Sequence, residues 1–368
     1  MPDAPRPADA MRPFGRIGFG CYRVDDRTPA HKSALEQALE AGCRLIDTST
    51  NYTDGGSESL VGAVLAERER RAPGSRRQVL VVSKIGYVQG QNLDLAFERE
   101  RQGDPFPEMV RYMDGCWHCI HPDFLADQLR RSLSRLQAER LDVCLLHNPE
   151  YFLSDAAHRG AKDLEATRSE FYRRVQEAFA FFEEQVKRGV LGGYGVSSNS
   201  VVAPEGGAET TSLQRFLDAA RAAGGAGHHF RVVQWPMNLF EGGAALEANT
   251  GPGGAQTALE AARAAGLDVL INRPLNAILE GRLVRLSDVS PAARAVSEHL
   301  DPLLPERLRG ATLSRKAIAV LLSTPGISTV LVGMRRPAWV DDSMGALDLP
   351  AVPDPLPIYR RFAELTAG

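Results

Sequence analysis

Apolar and polar positions along the chain follow two periods, and each change of period marks an element boundary. Short, nearly continuous apolar runs fall at 16–20, 44–47, 78–83, 142–146, 192–196, 230–233, 267–271 and 328–332. Runs without polar alternation are expected of parallel strands covered on both faces. Between them, apolar residues recur at helical spacing over 31–41, 58–70, 122–136, 165–188, 211–223, 257–265 and 313–322. Eight strands separated by helices predict an α/β fold, a closed (β/α)8 (TIM) barrel, with 1–368 as one domain. The periodicity fails over 85–115 and 148–162, which read as long loops, the usual carriers of binding residues. The Gly/Ala-rich stretch 242–254 reads as a further loop. Residues 1–13, rich in Pro and Ala, read as a loose arm.

Composition narrows the partners. With 368 residues, 43% of them hydrophobic, the chain can bury a large core. A net charge of −3 favours neither nucleic acid nor an anionic membrane. Five scattered cysteines suggest a reducing compartment and no disulfide framework. The first residues carry no apolar signal segment. The apolar stretch at 317–334 is interrupted by Ser323-Thr324-Pro325-Gly326, too broken to span a bilayer. A cytoplasmic protein acting on a small molecule is the expectation.

Chemistry-bearing residues collect where strands end. Asp47 closes the second apolar run and Tyr52 follows about one turn later. Lys84 follows the third run and His147 the fourth. In a closed parallel barrel these ends share one face, so the four belong to one site. A phenol is a weak acid unless an ammonium stabilises its phenolate, and a buried lysine keeps its charge beside a carboxylate.

With these residues in view, the chain resembles the aldo-keto reductase superfamily over about 18–347. Asp47-Thr48-Ser49, Tyr52, Gly56-Ser57-Glu58, Lys84 and His147 match the family's catalytic tetrad and its surroundings in type and order. The resemblance implies NADPH-dependent carbonyl reduction or the reverse oxidation. It makes Tyr52 the proton donor, its pKa lowered by the Lys84–Asp47 pair, and gives His147 the substrate carbonyl. It also places Ser197, with Ser198 or Asn199, and Gln234 at the nicotinamide carboxamide. Asn272 stands where the family has a stacking aromatic, and Arg273 where it has a serine. Gly20, Cys21, Pro274, Leu275 and Gly333 are further cofactor candidates. Arg335 and Arg336 fall at the 2′-phosphate position and Asp342 near the adenine, so the expected cofactor is NADP, with NAD second.

Tyr22, Tyr151 and Phe152 lie just past strand ends and are candidate pocket walls, as are Phe106, Tyr112 and Trp117 from the long stretch after Lys84. Cys116-Trp117-His118-Cys119-Ile120-His121 has no second cysteine pair, so no metal is expected. Two rival readings remain. One is a cofactor-binding regulatory or sensor subunit with little turnover. The other is an isomerase or lyase using Lys84 and Tyr52 as acid and base.

Overall fold

The computed structural model describes residues 15–203, 206–279, 282–286 and 291–367. The arm expected over 1–13 lies outside them. Eight parallel strands close into a barrel: β1 (Ile17–Gly20), β2 (Leu45–Asp47), β3 (Leu80–Ile85), β4 (Leu141–His147), β5 (Leu191–Ser197), β6 (Phe230–Pro236), β7 (Asp268–Asn272) and β8 (Thr329–Val332). Each pairs with its chain neighbour, and β1 closes on β8 through Ile17 opposite Val330.

Strand alternation divides the core in two. Leu45, Leu80, Val82, Val143, Leu145, Val232, Leu270 and Leu331 form a separate cluster inside the barrel. The intervening residues, among them Ile46, Val81, Cys144, Val196 and Ile271, point outward to the helices. Glycines at 18 and 195 keep the inside open. A Cβ on Gly195 would stand 1.7 Å from the Val232 carbonyl oxygen, and one on Gly18 2.8 Å from the Leu331 and Leu45 side chains. Truncating one of the interior leucines to alanine should cost about 2–5 kcal/mol.

The two expected loops are largely ordered structure. The stretch 85–115 holds a strand (Tyr87–Val88), a helix (Gln91–Arg101) and a strand (Val110–Met113), joined by Cys116–His118 into a three-stranded sheet. Local sequence did not reveal the helix because its start is held from elsewhere: the Asp54 carboxylate accepts the Gln91 N–H at 3.0 Å. The 148–162 stretch contains the helix Tyr151–His158, which begins after Asn148 turns through a left-handed φ of 49°. Residues 242–254 contribute a short helix, Gly243–Leu246, and a strand, Ala248–Thr250, paired with Gln256–Thr257. An antiparallel pair, Asn276–Leu279 with Arg282–Arg285, went unpredicted after β7. Among the described residues no helix is long and apolar enough to cross a membrane.

Candidate active site

The alternation that fills the barrel also builds its mouth. Leu45, Leu80, Val82, Val143, Leu145, Val232 and Leu270 point inward, so their partners two or more residues onward do too. Those partners are Asp47, Lys84, His147, Gln234 and Asn272, and in register His147 stands opposite Ser197 and Ser197 opposite Gln234. Tyr52 arrives differently. After β2 the chain makes a tight turn, Tyr52–Gly55, with Thr53 and Asp54 in left-handed conformation at φ 48° and 55°. The Thr53 hydroxyl fastens this turn to the Val24 carbonyl at 2.7 Å.

Lys84 is fully buried and its ammonium meets three oxygens. It donates to Asp47 Oδ2 at 2.7 Å, to the Thr48 carbonyl at 2.8 Å and to the Tyr52 hydroxyl at 3.2 Å. The other Asp47 oxygen accepts the Gln234 amide at 2.7 Å. Gln234 Oε1 in turn accepts from Ser197 Oγ at 2.9 Å and from Asn272 Nδ2 at 3.2 Å. Behind β3, buried Glu58 accepts the Ser83 and Ser132 hydroxyls at 2.5 and 2.6 Å and pairs with Arg135. This anchors the helix Gly56–Arg71, and with it the Tyr52 turn, to the strand that carries Lys84.

Burial governs the charge states. It draws the Lys84 ammonium below its ordinary value, with Asp47 opposing. It also pushes the Tyr52 phenol well above its ordinary value, assisted by the Asp47 carboxylate. The lowering expected of Tyr52 is therefore not found: burial and the Asp47 carboxylate both raise it, and the phenol rests protonated. His147 falls well below the usual imidazole range through burial and then through Lys84, so its ring is neutral.

His147 is held on several sides. Ser49 Oγ lies 3.0 Å from its Nδ1. Among the described residues its Nε2 has no hydrogen-bond partner. Tyr52 and Tyr87 pack edge-on against the ring at 5.7 and 4.6 Å. His118 Nε2 lies 2.7 Å from the His147 carbonyl oxygen. The Tyr87 hydroxyl accepts Asn148 Nδ2 at 2.8 Å and donates to the Tyr151 hydroxyl at 3.3 Å. Tyr22, 65% exposed, stands edge-on to Tyr52.

Trp117 does not take the wall position expected of it. In the small sheet Tyr87 pairs with His118 and Val88 with Trp117. Directly paired residues share a face, so Tyr87 and His118 turn toward His147 while Trp117 turns away. It packs instead on Phe97 and beneath Arg111. Phe106 likewise faces Phe124 and Arg99, whereas Tyr112 meets Tyr151 edge-on. Tyr87 was absent from the sequence candidates, while Ser49 entered only as part of the matched motif and His118 only as a metal ligand weighed and set aside. Tyr87 lies three residues past Lys84, an odd offset that period-two alternation does not bring to the inner face, so no local signal marked it.

With this geometry in hand, the chain was compared with known proteins. The profile of the Aldo/keto reductase family matches residues 16–204, about half of the chain. The chain belongs to that family. The uncharacterized oxidoreductase YqkF of Bacillus subtilis is 22% identical over 185 residues, 50% of this chain and 45% of that protein. The NAD(P)H-dependent D-xylose reductase of Scheffersomyces stipitis is 26% identical over 137 residues, 37% of this chain and 32% of that one. The matches thus span less than half the length of these curated relatives. Among solved structures, an aldo/keto reductase from Klebsiella pneumoniae superposes with a TM-score of 0.58 at 20% identity, covering 95% of this chain and 92% of that one. One from Bacillus halodurans gives 0.60 at 16% identity, with 95% and 92% covered. Identities this low speak to the fold alone.

In this member of the family the remaining candidates divide into occupied and open groups. Gly20 pairs with Asp47, and the buried Cys21 donates its N–H to the Asp47 carbonyl at 2.9 Å, its thiol pushed far up by burial. Ser198 Oγ lies 3.2 Å from Thr211 Oγ1, and the Asn199 N–H donates to Glu150 at 2.7 Å. Pro274 is buried and Leu275 packs against the core, so neither is open. Asp342 is not open either: it accepts from Thr312 at 2.8 Å, binds Ser314 and pairs with Arg315 at 3.2 Å. It braces two helices, Pro337–Met344 and Leu313–Ser323.

The open groups follow β7 and β8. Asn272 Oδ1 is buried without a hydrogen-bond partner. Arg273 takes a left-handed φ of 53° and reaches Glu241 only at 3.5 Å. Gly333 is exposed with nothing near its missing Cβ. Arg335 and Arg336 lie against Trp339 at 5.5 and 5.1 Å, and among the described residues neither has an ion-pair partner. Cys116 takes a hydrogen bond from Gln89 at 3.1 Å. Among the described residues no cluster of three or more His, Cys, Asp or Glu could hold a metal.

Proposed function

We propose that this protein transfers hydride between a nicotinamide cofactor, NADP in preference to NAD, and a small carbonyl or alcohol substrate, with Tyr52 exchanging the proton. The observation that carries this reading is Lys84, whose ammonium bridges the Asp47 carboxylate and the Tyr52 hydroxyl in one buried network. The open groups fit the cofactor. Buried Asn272 Oδ1 is an acceptor awaiting an amide donor, and Arg335 with Arg336 supplies unpaired cations for a phosphate. Relatives point the same way. The Klebsiella pneumoniae structure is a complex with NADP and acetate, and the Scheffersomyces stipitis relative is named for NAD(P)H-dependent D-xylose reduction.

When bound, a reduced nicotinamide supplies the hydride. The chain's own residues handle the proton. Tyr52, protonated at rest, donates its hydrogen to the carbonyl oxygen as negative charge develops there. Lys84 stabilises the phenolate left behind, and Asp47, oriented by Gln234, keeps Lys84 charged. Neutral His147, fixed through Nδ1 by Ser49, leaves Nε2 to hold the substrate oxygen. Tyr22 and Tyr87 flank the phenol and the imidazole, excluding water from them. In the oxidative direction the same proton returns to Tyr52.

The test is consumption of NADPH and NADH by the purified protein against aldehydes, ketones and polyols. Turnover is expected with NADPH at least. Tight cofactor binding with no turnover on any substrate would favour the second reading, a cofactor-responsive subunit. That reading draws on Asn272, which cannot stack on a nicotinamide as an aromatic ring does.

A further inference from the structure

On its β4 side, β5 loses its strand partner at the mouth of the barrel. The ladder between them makes its last bond from the Asn148 N–H to the Ser197 carbonyl, at 2.7 Å. In a continuing parallel ladder the Asn199 N–H would donate next to the Asn148 carbonyl. Asn148 instead turns through its left-handed φ, and its carbonyl accepts the Tyr151 N–H at 3.2 Å. The Glu150 side chain takes the vacated place: its carboxylate accepts the Asn199 N–H at 2.7 Å.

Glu150 is otherwise little employed. It stands just before the helix Tyr151–His158, yet its side chain does not cap that helix. It is 6% exposed, and burial pushes its carboxyl up to about 7 against the pull of the Asn199 N–H and of Ser198 and Ser200 nearby. Its second oxygen has no hydrogen-bond partner. Burying a carboxylate is costly. Here the bond set against that cost fixes a single backbone N–H, two residues past Ser197.

The turn that it fixes has used its other hydroxyls. Ser197 Oγ donates to Gln234, and Ser198 and Ser200 lie 3.2 and 3.1 Å from Thr211 Oγ1. The Asn199 side chain is exposed, and among the described residues its amide has no hydrogen-bond partner. On the outer side Asn199 and Ser200 border a cavity of about 560 Å³, so packing does not hold the turn from there. The backbone position of Asn199 therefore depends on Glu150, three residues beyond His147. We propose that Glu150 is a positioning residue for the nicotinamide end of the cofactor: holding the Asn199 backbone, it presents the Asn199 side-chain amide to the carboxamide, in register with the strand end that carries His147. The proposal rests on the hydride-transfer reading for the presence of that cofactor.

The experiment titrates NADPH, NADH and adenosine 2′,5′-bisphosphate, which has no nicotinamide, against the parent, Glu150→Ala, Asn199→Ala and the double variant. NADPH and NADH should each bind Glu150→Ala about ten-fold more weakly, and the bisphosphate should bind it as it binds the parent. In the Asn199→Ala background the same change should cost NADPH almost nothing further, because the amide to be positioned is gone. Full additivity of the two losses, or equal weakening of the bisphosphate, would make Glu150 a brace for the whole mouth and overturn the proposal. Unchanged NADPH and NADH affinity in the folded variant would overturn it too. If Glu150→Ala does not fold, Glu150→Gln carries the test, since it keeps an oxygen for the Asn199 N–H and loses only the charge. It should lose about three-fold on the same two cofactors, and less where Asn199 is already alanine. A parent that binds neither cofactor would overturn the hydride-transfer reading and this proposal with it, whereas additive losses beside tight parental binding would overturn the proposal alone.

Discussion

The two halves of the barrel mouth differ in how completely the chain satisfies its own polar atoms. At the ends of β2, β3 and β6, Asp47, Lys84, Tyr52 and Gln234 form a network in which both carboxylate oxygens and the ammonium are bonded at 2.7–3.2 Å. At the ends of β7 and β8, and at the rim past β4, groups stand unfinished: Asn272 Oδ1, Glu150 Oε2 and the arginines at 335 and 336. The closed half has nothing to rearrange when a reaction starts, the condition for electrostatic catalysis. The open half gains its missing partners only from a ligand. Chemistry is thus preorganised on one side, and binding is completed on the other.

Breaking the closed half should produce the largest effects. Tyr52→Phe keeps the ring packed against Tyr22 and His147 and removes only the hydroxyl. Turnover should fall by about 10²–10⁴-fold while the cofactor dissociation constant stays nearly constant. Lys84→Met should do similar damage to turnover. It should also lower unfolding free energy by about 3–5 kcal/mol, because Asp47 is then buried without its cation. Near-parental carbonyl reduction by Tyr52→Phe, in single-turnover kinetics, would remove the tyrosine from the proton step.

The same division shows in what could be read from sequence. Closed-half residues sit on strands, where period-two alternation and strand ends specify both depth and direction, so Asp47, Lys84 and His147 were found together. The strands and most barrel helices were legible for the same reason. Segments fixed by distant partners were not. The helix Gln91–Arg101 depends on Asp54 for its start. Trp117 was assigned to the pocket because the long stretch after Lys84 was expected to fold over the barrel mouth, but a three-stranded sheet turned it away and presented Tyr87 and His118 instead. Asp342 matched a motif position, yet Thr312, Ser314 and Arg315 already hold it. Pairing partners and register across a gap carry no local periodic signal.

Among the open groups the arginines should matter most. A double substitution, Arg335→Ala with Arg336→Ala, should weaken NADPH by about 1.5–3 kcal/mol for each charge-assisted bond lost and leave NADH nearly unchanged. Fluorescence titration of both cofactors measures this. Equal weakening would move the arginines to the shared part of the cofactor, and no weakening would return them to the surface on Trp339.

Glu150 offers an effect of intermediate size that needs no ligand. Its carboxyl titrates at about 7 in the folded chain, above the ordinary 4.5, chiefly because it is buried. Between those values the folded chain holds a proton that the unfolded chain has released. Its contribution is therefore complete below the ordinary value and is lost as pH rises through about 7. The loss should be on the order of 2 kcal/mol. Glu150→Gln lacks this titration, so the stability difference, variant minus parent, should rise by that amount from pH 5 to 8 in urea melts. Subtraction cancels the other titrating groups. A flat difference would mean that the carboxyl finds compensation in the folded chain, and that the open half is less open than its geometry shows.

The smallest effect tests the comparison most directly, because it should change sign with the ligand. Asn272 donates to Gln234 at 3.2 Å, but its own oxygen is buried without a partner. In the free protein that orphan is a cost, since a buried acceptor without a donor loses its hydration for nothing. Asn272→Leu removes the orphan together with one hydrogen bond, so the free protein should melt within about 1 kcal/mol of the parent or slightly above it. With nicotinamide bound, the oxygen would have its donor, and the same substitution should weaken NADPH and NADH alike by about 1 kcal/mol. Equal weakening is required because the two cofactors share the carboxamide and differ only at the far phosphate. Thermal melts with and without each cofactor read both signs in one experiment. A substitution that destabilised the free protein as much as the complex would place Asn272 in the closed network with Gln234, and the boundary between the two halves would then run past β7 rather than before it.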